Sequence, residues 1–254
     1  MAWLVALLRL VLGVLATPLH LLQLLGLWAP LCKRYFPHFL RRFTALYNEQ
    51  MAGPKRELFG GLEARARTPG RLALLELGCG TGANFAFYPA GCGVTCVDPN
   101  PHFERFVARS LAEHRQVRVE RFVVSAGERM AQVDDASMDV VVCTLVLCSV
   151  RSQEDILREV FRVLRPGGAF YFLEHVAAEP NTWTAFWQQV LAPTWQLIFD
   201  GCDLTRETWK PLERAGFSRL QLQRMQAPLS WKIVRPHIMG FATLLSQAPG
   251  VGEV

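Results

Sequence analysis

The sequence predicts an α/β domain built on a doubly wound, mostly parallel sheet with helices on both faces, and three observations predict it. Residues 72–84, L-A-L-L-E-L-G-C-G-T-G-A-N, join an apolar run to glycines at 78, 80 and 82. The run reads as a strand buried on both faces, and the glycines as a turn beyond its carboxyl end. A second strand, V-T-C-V-D, ends at Asp98, 20 residues after Gly78. A third, residues 139–143, is followed by a helical pattern, then L-R-P-G-G, then another apolar strand over 169–174. Strands alternating with helices are the signature of a parallel sheet.

A glycine turn at a strand end lets backbone N–H groups approach a ligand closely, which predicts a nucleotide-like cofactor. Gly78, Gly80 and Ala83 also satisfy the dinucleotide fingerprint, so at this point NAD stands beside S-adenosylmethionine. A carboxylate at Asp98 can accept the ribose hydroxyl protons of either. The plainer alternatives are a tight turn alone for the glycines and a helix cap or surface carboxylate for Asp98.

Taken in order, residues 3–28 are almost wholly apolar, interrupted by Arg9, His20 and Gln23, with Pro18 near the middle. Length permits a membrane span, and Pro18 permits a kinked segment that enters one leaflet and returns. A buried core helix is the bland alternative. Lys33, Arg34, Arg41 and Arg42 follow, and they favour the cytosolic side and anionic headgroups. Phe39, Phe43, Leu46 and Tyr47 recur at helical spacing, which predicts a helix along the headgroup surface or a lid over the site. Gly53-Pro54 is expected to break it, with a second amphipathic helix over 55–66 and Thr68-Pro69-Gly70 opening the sheet domain. The predicted divisions are an anchor over 1–28, a basic amphipathic connector over 29–71, the catalytic domain over 72–245 and a loose tail over 246–254.

Within the domain a short helix is expected up to Tyr88, stopped by Pro89, and a helix opened by Pro101 carries Phe103, Phe106, Val107 and Leu111 on one face. Residues 117–124 read as a strand, with the loop Ala126, Gly127, Glu128 beyond it at the carboxyl edge. Ile156, Leu157, Val160, Phe161 and Leu164 form a helix face, and L-R-P-G-G stops that helix. Trp183, Phe186, Trp187, Trp195 and Phe199 make an aromatic stripe that is either core or acceptor pocket. Thr205 reads as the N-cap of a helix to Ala215 that Pro211 should kink, and two strands close the fold, the last over 237–242.

The chain has 254 residues, about half of them apolar, enough for one large core, and a formal charge of +5. That excess is mild and falls beside the apolar segment, so no nucleic-acid partner is expected. Seven cysteines, an odd number at no framework spacing, indicate a reducing compartment. Cys92 and Cys96 lack a matching pair of ligands, so no metal site is expected and they read as small core residues.

The order of buried strand, helix, L-R-P-G-G and strand is the arrangement found in class I methyltransferases. With G-C-G-T-G-A-N, V-T-C-V-D-P-N-P, D-V-V-V-C-T-L-V-L-C-S-V and L-R-P-G-G-A-F-Y-F-L-E-H-V, the chain resembles the membrane-bound thiol S-methyltransferases. Y-N-E-Q-M-A, K-R-E-L-F, F-W-Q-Q-V and D-G-C-D-L-T-R-E-T-W-K extend the resemblance beyond the generic motifs. It departs from the family at Pro211 and in the tail after Phe241.

The resemblance implies a Rossmann-like class I methyltransferase with a mostly parallel seven-stranded sheet, preceded by an apolar N-terminal membrane helix. It implies S-adenosyl-L-methionine as cofactor and hydrogen sulfide or small lipophilic alkyl thiols as acceptors. It further implies residence in endoplasmic reticulum and lipid-droplet membranes, bound to membrane lipids through the N-terminal segment, with the catalytic domain facing the cytosol.

Carried over by motif, residues 76–82, including Glu76, Gly78, Cys79, Gly80 and Gly82, hold the methionine portion, together with Asn84. Asp98 takes the ribose. Asn100 and the loop Ala126, Gly127, Glu128 border the adenine. Cys143 to Leu145 lie beneath the sulfonium.

An alkyl thiol with a pKa of about 8.5 is a few per cent thiolate at neutral pH, so orientation can carry most of the rate without a strong base. If a base is used, His175 is the candidate, against the alternative of a histidine held by backbone. Cys148 and Cys202 are not expected as nucleophiles, since methyl transfer needs no covalent enzyme intermediate. An oxygen acceptor, or a membrane scaffold with a vestigial fold, are the alternative functions.

Overall fold

The computed structural model of the chain describes residues 2–68 and 71–246. Pro69 and Gly70 of the predicted domain entrance lie outside the described residues, as does the predicted tail beyond Ser246.

Seven strands form one sheet in the order β3-β2-β1-β4-β5-β7-β6: β1 (Leu72–Leu77), β2 (Cys92–Asp98), β3 (Val117–Val124), β4 (Met138–Thr144), β5 (Leu164–His175), β6 (Arg219–Gln226) and β7 (Pro236–Thr243). The first five are parallel, and β7 inserts antiparallel between β5 and β6. The order reverses between β1 and β4, so the crevice for a ligand opens outside their carboxyl ends. One apolar core lies on each face: Leu74, Val94, Val140 and Leu173 on one, Leu75, Val97, Val141 and Phe172 on the other. This is why the central strands read as continuous apolar runs rather than alternating ones.

The apolar N-terminus is not one membrane helix. It forms α1 (Ala2–Leu15) and α2 (Thr17–Leu24), bent by 66°, and no single helix among the described residues is long and apolar enough to cross a bilayer. Pro18 begins the second helix, where its missing N–H removes no bond. Val5 of α1 packs against Phe186 and Val190 of α6 (Trp183–Ile198), and Arg9 Nε donates to the Gln189 carbonyl at 2.8 Å.

Other expectations are corrected by packing. The predicted break at Gly53-Pro54 does not occur: α3 runs Trp28–Phe59 through Pro37 and Pro54. Tyr47 and Met51 before Pro54, and Leu58 and Phe59 after it, are all buried against the sheet, which outweighs one lost backbone bond. Beyond it only a short 3-10 turn, Glu63–Arg65, remains of the second predicted helix.

The expected helix to Tyr88 is a single 3-10 turn, Phe85–Phe87. Pro101 likewise opens a 3-10 turn before α4 (Glu104–Glu113). The helix α5 (Gln153–Val163) is N-capped by Ser152 and ends at Leu164, but L-R-P-G-G then joins β5 as an irregularity in its register with β4. Arg165 Nη1 pins it to Asp139 at 2.5 Å.

Thr205 is not a helix cap: its N–H and hydroxyl donate to Asp203 Oδ1, and α7 (Trp209–Arg214) starts later. Pro211 is its third residue, where no intrahelical bond is lost, so the predicted kink is absent.

Candidate functional site

The glycine turn hangs from β2. Gly78 and Cys79 N–H donate to the Val97 carbonyl, and Gly80 N–H donates to Asp98 Oδ2 at 3.1 Å. Gly78, Gly80 and Gly82 have φ of +58°, +52° and +71°, the left-handed region that favours glycine. At Gly78 a Cβ would also fall within the side chain of Val146, in the loop after β4.

Asp98 is buried, and its Oδ1 accepts the Asn100 N–H at 2.9 Å. Each oxygen keeps lone pairs for hydroxyl donors. Burial pushes its carboxyl up to about 7.

Behind the turn lies a polar network. Lys55 of α3, only 2% exposed, donates to Asn48 Oδ1 and Asn84 Oδ1, both at 2.7 Å. Asn84 Nδ2 in turn donates to Glu76 Oε1 at 2.7 Å and to Thr144 at 2.6 Å. Asn48 Nδ2 donates to the Ala83 carbonyl, and Thr44 meets Thr81 at 3.3 Å. The helix α3 is thus stitched along the glycine turn. Burial pushes Glu76 up to about 7 and Lys55 down to about 8, and Glu76 Oε2 is buried with no partner.

The remaining cofactor candidates divide. Asn100 Nδ2 donates to the Lys33 carbonyl and its Oδ1 accepts His102 N–H, so its side chain fastens α3 to the end of β2. Ala126 is exposed and Gly127 half-buried at the crevice edge, while Glu128 Oε1 accepts the Arg151 N–H at 2.8 Å. Cys143 is buried beneath the crevice with its thiol towards Glu174, and Leu145 has φ +56°. A branched side chain held there marks a strained turn of the kind found at functional sites.

Glu174 was not anticipated from sequence. It is fully buried, and its Oε1 accepts the N–H groups of Val146 and Leu147 at 3.0 and 3.2 Å, fixing that turn. Burial pushes it up to about 7.

Beside Leu145 opens an apolar pocket of about 90 Å³. Since one water needs roughly 10–15 Å³ by such a measure, it takes a small organic molecule. Phe36, Phe39, Phe43 and Tyr47 of α3 form one wall, with stacked neighbours at centroid distances of 5.7–6.1 Å. The aromatic face expected on lipid headgroups therefore points inward, leaving Leu46 outside at 62% exposure.

The stripe on α6 splits too. Trp195 and Phe199 line the pocket, Phe186 packs on α1, and Trp183 is exposed.

The pocket's polar atoms gather at one end. His175 Nε2 lies 3.1 Å from Cys202 Sγ, which also receives the Trp195 indole N–H at 3.2 Å. Cys148 completes the group, and the three ligand atoms lie within 4.8 Å of one another. The Cys148 thiol and the indole hold Cys202 below the usual thiol range. Burial pushes the His175 imidazole down, but Cys148 and Glu174 outweigh it and leave the imidazole above its ordinary value.

Burial pushes His237 down to about 3, so it is neutral. Its Nδ1 faces the Arg235 carbonyl, which only accepts, so Nε2 accepts the Tyr47 hydroxyl proton at 3.1 Å. Cys92 and Cys96 are core residues of β2, as expected.

Donor and acceptor chemistry at this edge fits S-adenosyl-L-methionine. Asp98 offers acceptors for ribose hydroxyls, and Glu76 keeps a buried oxygen without a partner.

The methyltransferase domain family matches residues 75–172. Thiol S-methyltransferase TMT1A of Homo sapiens is 68% identical over 221 residues, covering 87% of this chain and 91% of that protein. Thiol S-methyltransferase TMT1B of Homo sapiens is 58% identical over 239 residues, 94% of this chain and 98% of that protein. A SAM-dependent methyltransferase of Thermotoga maritima shares the fold with a TM-score of 0.56 at 16% identity, over 84% of this chain and 99% of that one.

Proposed function

The chain belongs to the thiol S-methyltransferases, enzymes dependent on S-adenosyl-L-methionine, and from that premise we infer that it methylates hydrogen sulfide and small lipophilic thiols at a membrane surface. The apolar pocket of about 90 Å³ beside Leu145 carries the reading of acceptor size and polarity.

S-adenosyl-L-methionine supplies a methyl group made electrophilic by its sulfonium charge. Asp98 would accept the ribose hydroxyls, the turn from Gly78 to Gly82 would hold the methionine end, and Glu76 would face its ammonium. The aromatic walls hold an alkyl thiol by its chain and exclude water, so sulfur is the atom left to react. The acceptor sulfur would form the new S–CH3 bond with its own electron pair as the donor's C–S bond breaks and leaves its pair on the departing neutral sulfide, and the thiol proton would leave through His175 or to bulk solvent. Orientation of this kind is worth several kcal/mol without any strong base.

The membrane reading rests on α1 and α2. One side of α1 packs on α6, while Trp3, Leu10, Val14 and Leu24 are 64–84% exposed. A bent apolar pair with one covered face suits insertion into a single leaflet better than a span. Attachment to endoplasmic reticulum and lipid droplets, with the domain in the cytosol, would place the pocket where lipophilic thiols partition.

The test is transfer of a labelled methyl group to a panel of small thiols and matched alcohols by detergent-solubilised protein, with hydrogen sulfide as one arm. Thiol turnover that falls in Asp98→Ala at subsaturating cofactor supports the reading. Turnover of alcohols alone, or thiol turnover indifferent to Asp98→Ala, overturns it. Flotation with vesicles that survives Leu10→Ser with Val14→Ser overturns the leaflet attachment.

A further inference from the structure

Three residues from separate segments meet in the lining of the acceptor pocket, and the reaction as derived above uses neither of the two thiols among them. Cys148 follows β4, His175 ends β5, and Cys202 follows α6, delivered by Asp200 and Gly201, both in the left-handed region at φ +49° and +87°. All three line the pocket, and their ligand atoms fall within 4.8 Å of one another. Around a zinc ion, Zn–S of about 2.3 Å and Zn–N of about 2.0 Å place ligating sulfur and nitrogen roughly 3.5 Å apart. The observed 3.1 Å between His175 Nε2 and Cys202 Sγ is within a small adjustment of that value.

We propose that Cys148, His175 and Cys202 form a three-ligand site for a thiophilic divalent cation, zinc by its donor set, whose fourth position opens on the acceptor pocket. Two thiol sulfurs and an imidazole are soft to borderline donors, which select zinc over magnesium or calcium. Three protein ligands with one open position is the pattern of reactive rather than structural zinc sites.

Two further observations support a bound ion. The Trp195 indole N–H already points at Cys202 Sγ, the outer hydrogen bond that a metal thiolate accepts. The buried Nδ1 of His175 has no partner, so no competing hydrogen bond holds the ring away from the ion.

The use of such a site rests on the thiol-acceptor reading. An incoming thiol would take the fourth position as thiolate, its proton leaving to water. The sulfur pair would then form the S–CH3 bond while the donor's C–S bond breaks, leaving its pair on the departing neutral sulfide. The methylated product, a neutral thioether and a poor zinc ligand, would dissociate.

The experiment is titration of the full detergent-solubilised chain with Co2+, after stripping by chelator and with a phosphine as reductant. The expected result is a near-ultraviolet thiolate-to-cobalt charge-transfer band, saturating at a single ion per chain and displaced by Zn2+. It should be lost in Cys202→Ser and in Cys148→Ser and retained in Cys92→Ala, which removes a thiol outside the pocket.

Absence of the band in protein that still melts cooperatively overturns the proposal. So does a band that survives both serine variants, or a Cys148–Cys202 disulfide in the protein as purified under reductant. Methyl transfer measured in parallel keeps the two readings apart. Cobalt binding without thiol turnover leaves the site standing and removes its assigned use, whereas thiol turnover without cobalt binding removes the site and keeps the activity.

Discussion

The two halves of the sheet's carboxyl edge are built by opposite means. On the β1–β2 side, the turn from Gly78 to Gly82 and Asp98 lie within one short stretch of chain and hold one another through backbone bonds. On the β4–β5–β7 side, Tyr47, Cys148, His175, Cys202 and His237 come from five separate segments and meet only in the folded state. A backbone cradle fixes what it binds, whereas a wall of side chains is open to substitution. The expected consequence is that changes on the first side act on cofactor affinity, and changes on the second act on the acceptor.

The largest break should come at Gly78, where the glycine turn meets the loop after β4. Gly78→Ala puts a Cβ at φ +58° and against Val146, joining backbone strain to overpacking. Together these cost about 2–5 kcal/mol. Both cofactor affinity and acceptor turnover should fall, with a lowered denaturation midpoint; loss of only one would mean the halves are not coupled there.

Asp98→Ala is the change that separates them. Removing an ionic acceptor from two hydroxyl donors costs about 1.5–3 kcal/mol, roughly a tenfold to hundredfold rise in cofactor Kd by calorimetry. The acceptor KM, taken at saturating cofactor, should stay within twofold or so of its starting value.

Lys55→Met tests whether α3 belongs to the cofactor half. It strips Asn84 and Glu76 of the ammonium that faces them, leaving buried polar atoms unpaired at a cost of about 1–3 kcal/mol. Stability should fall and cofactor Kd should rise, because Asn84 reaches from the helix to both β1 and β4. An unchanged Kd would make α3 a cover with no part in cofactor binding.

Phe43→Ala is the mirror of Asp98→Ala. It empties part of the aromatic wall, worth about 1.5 kcal/mol of apolar contact, so the KM for a bulky thiol should rise about tenfold with cofactor Kd unchanged.

The same asymmetry governs what could be read before folding. The glycine turn, the strand ending at Asp98 and the alternation of strands with helices were legible because each is local: a turn, a strand end, an apolar run. The acceptor half was not, since nothing at Cys148 or Cys202 signals that a left-handed pair at Asp200 and Gly201 will bring them together.

Lys55 read as one charge on an amphipathic helix, yet it is buried because α3 does not end at Pro54. The two misjudged prolines share a cause. At Pro54 packing on both sides outweighs the lost bond, and at Pro211 the helix starts too late for any bond to be lost.

The mildest test of the comparison is pH. Burial raises Glu76 and Asp98 to about 7 in the folded chain, far above their ordinary range. Because folded values above unfolded ones stabilise only while the groups are protonated, the contribution of Glu76 and Asp98 to the stability of the cofactor-free protein should be fully present below about pH 4. It should be lost as pH rises towards 7.

Cofactor binding should run the opposite way, since hydroxyls and an ammonium prefer carboxylates. Affinity should be full above about pH 7 and fall by up to tenfold for each group and each unit below it. Asp98→Asn should flatten that slope. Acceptor KM should be indifferent to Asp98→Asn, and an acceptor pH profile that this change flattens along with the cofactor's would dissolve the division between the two halves.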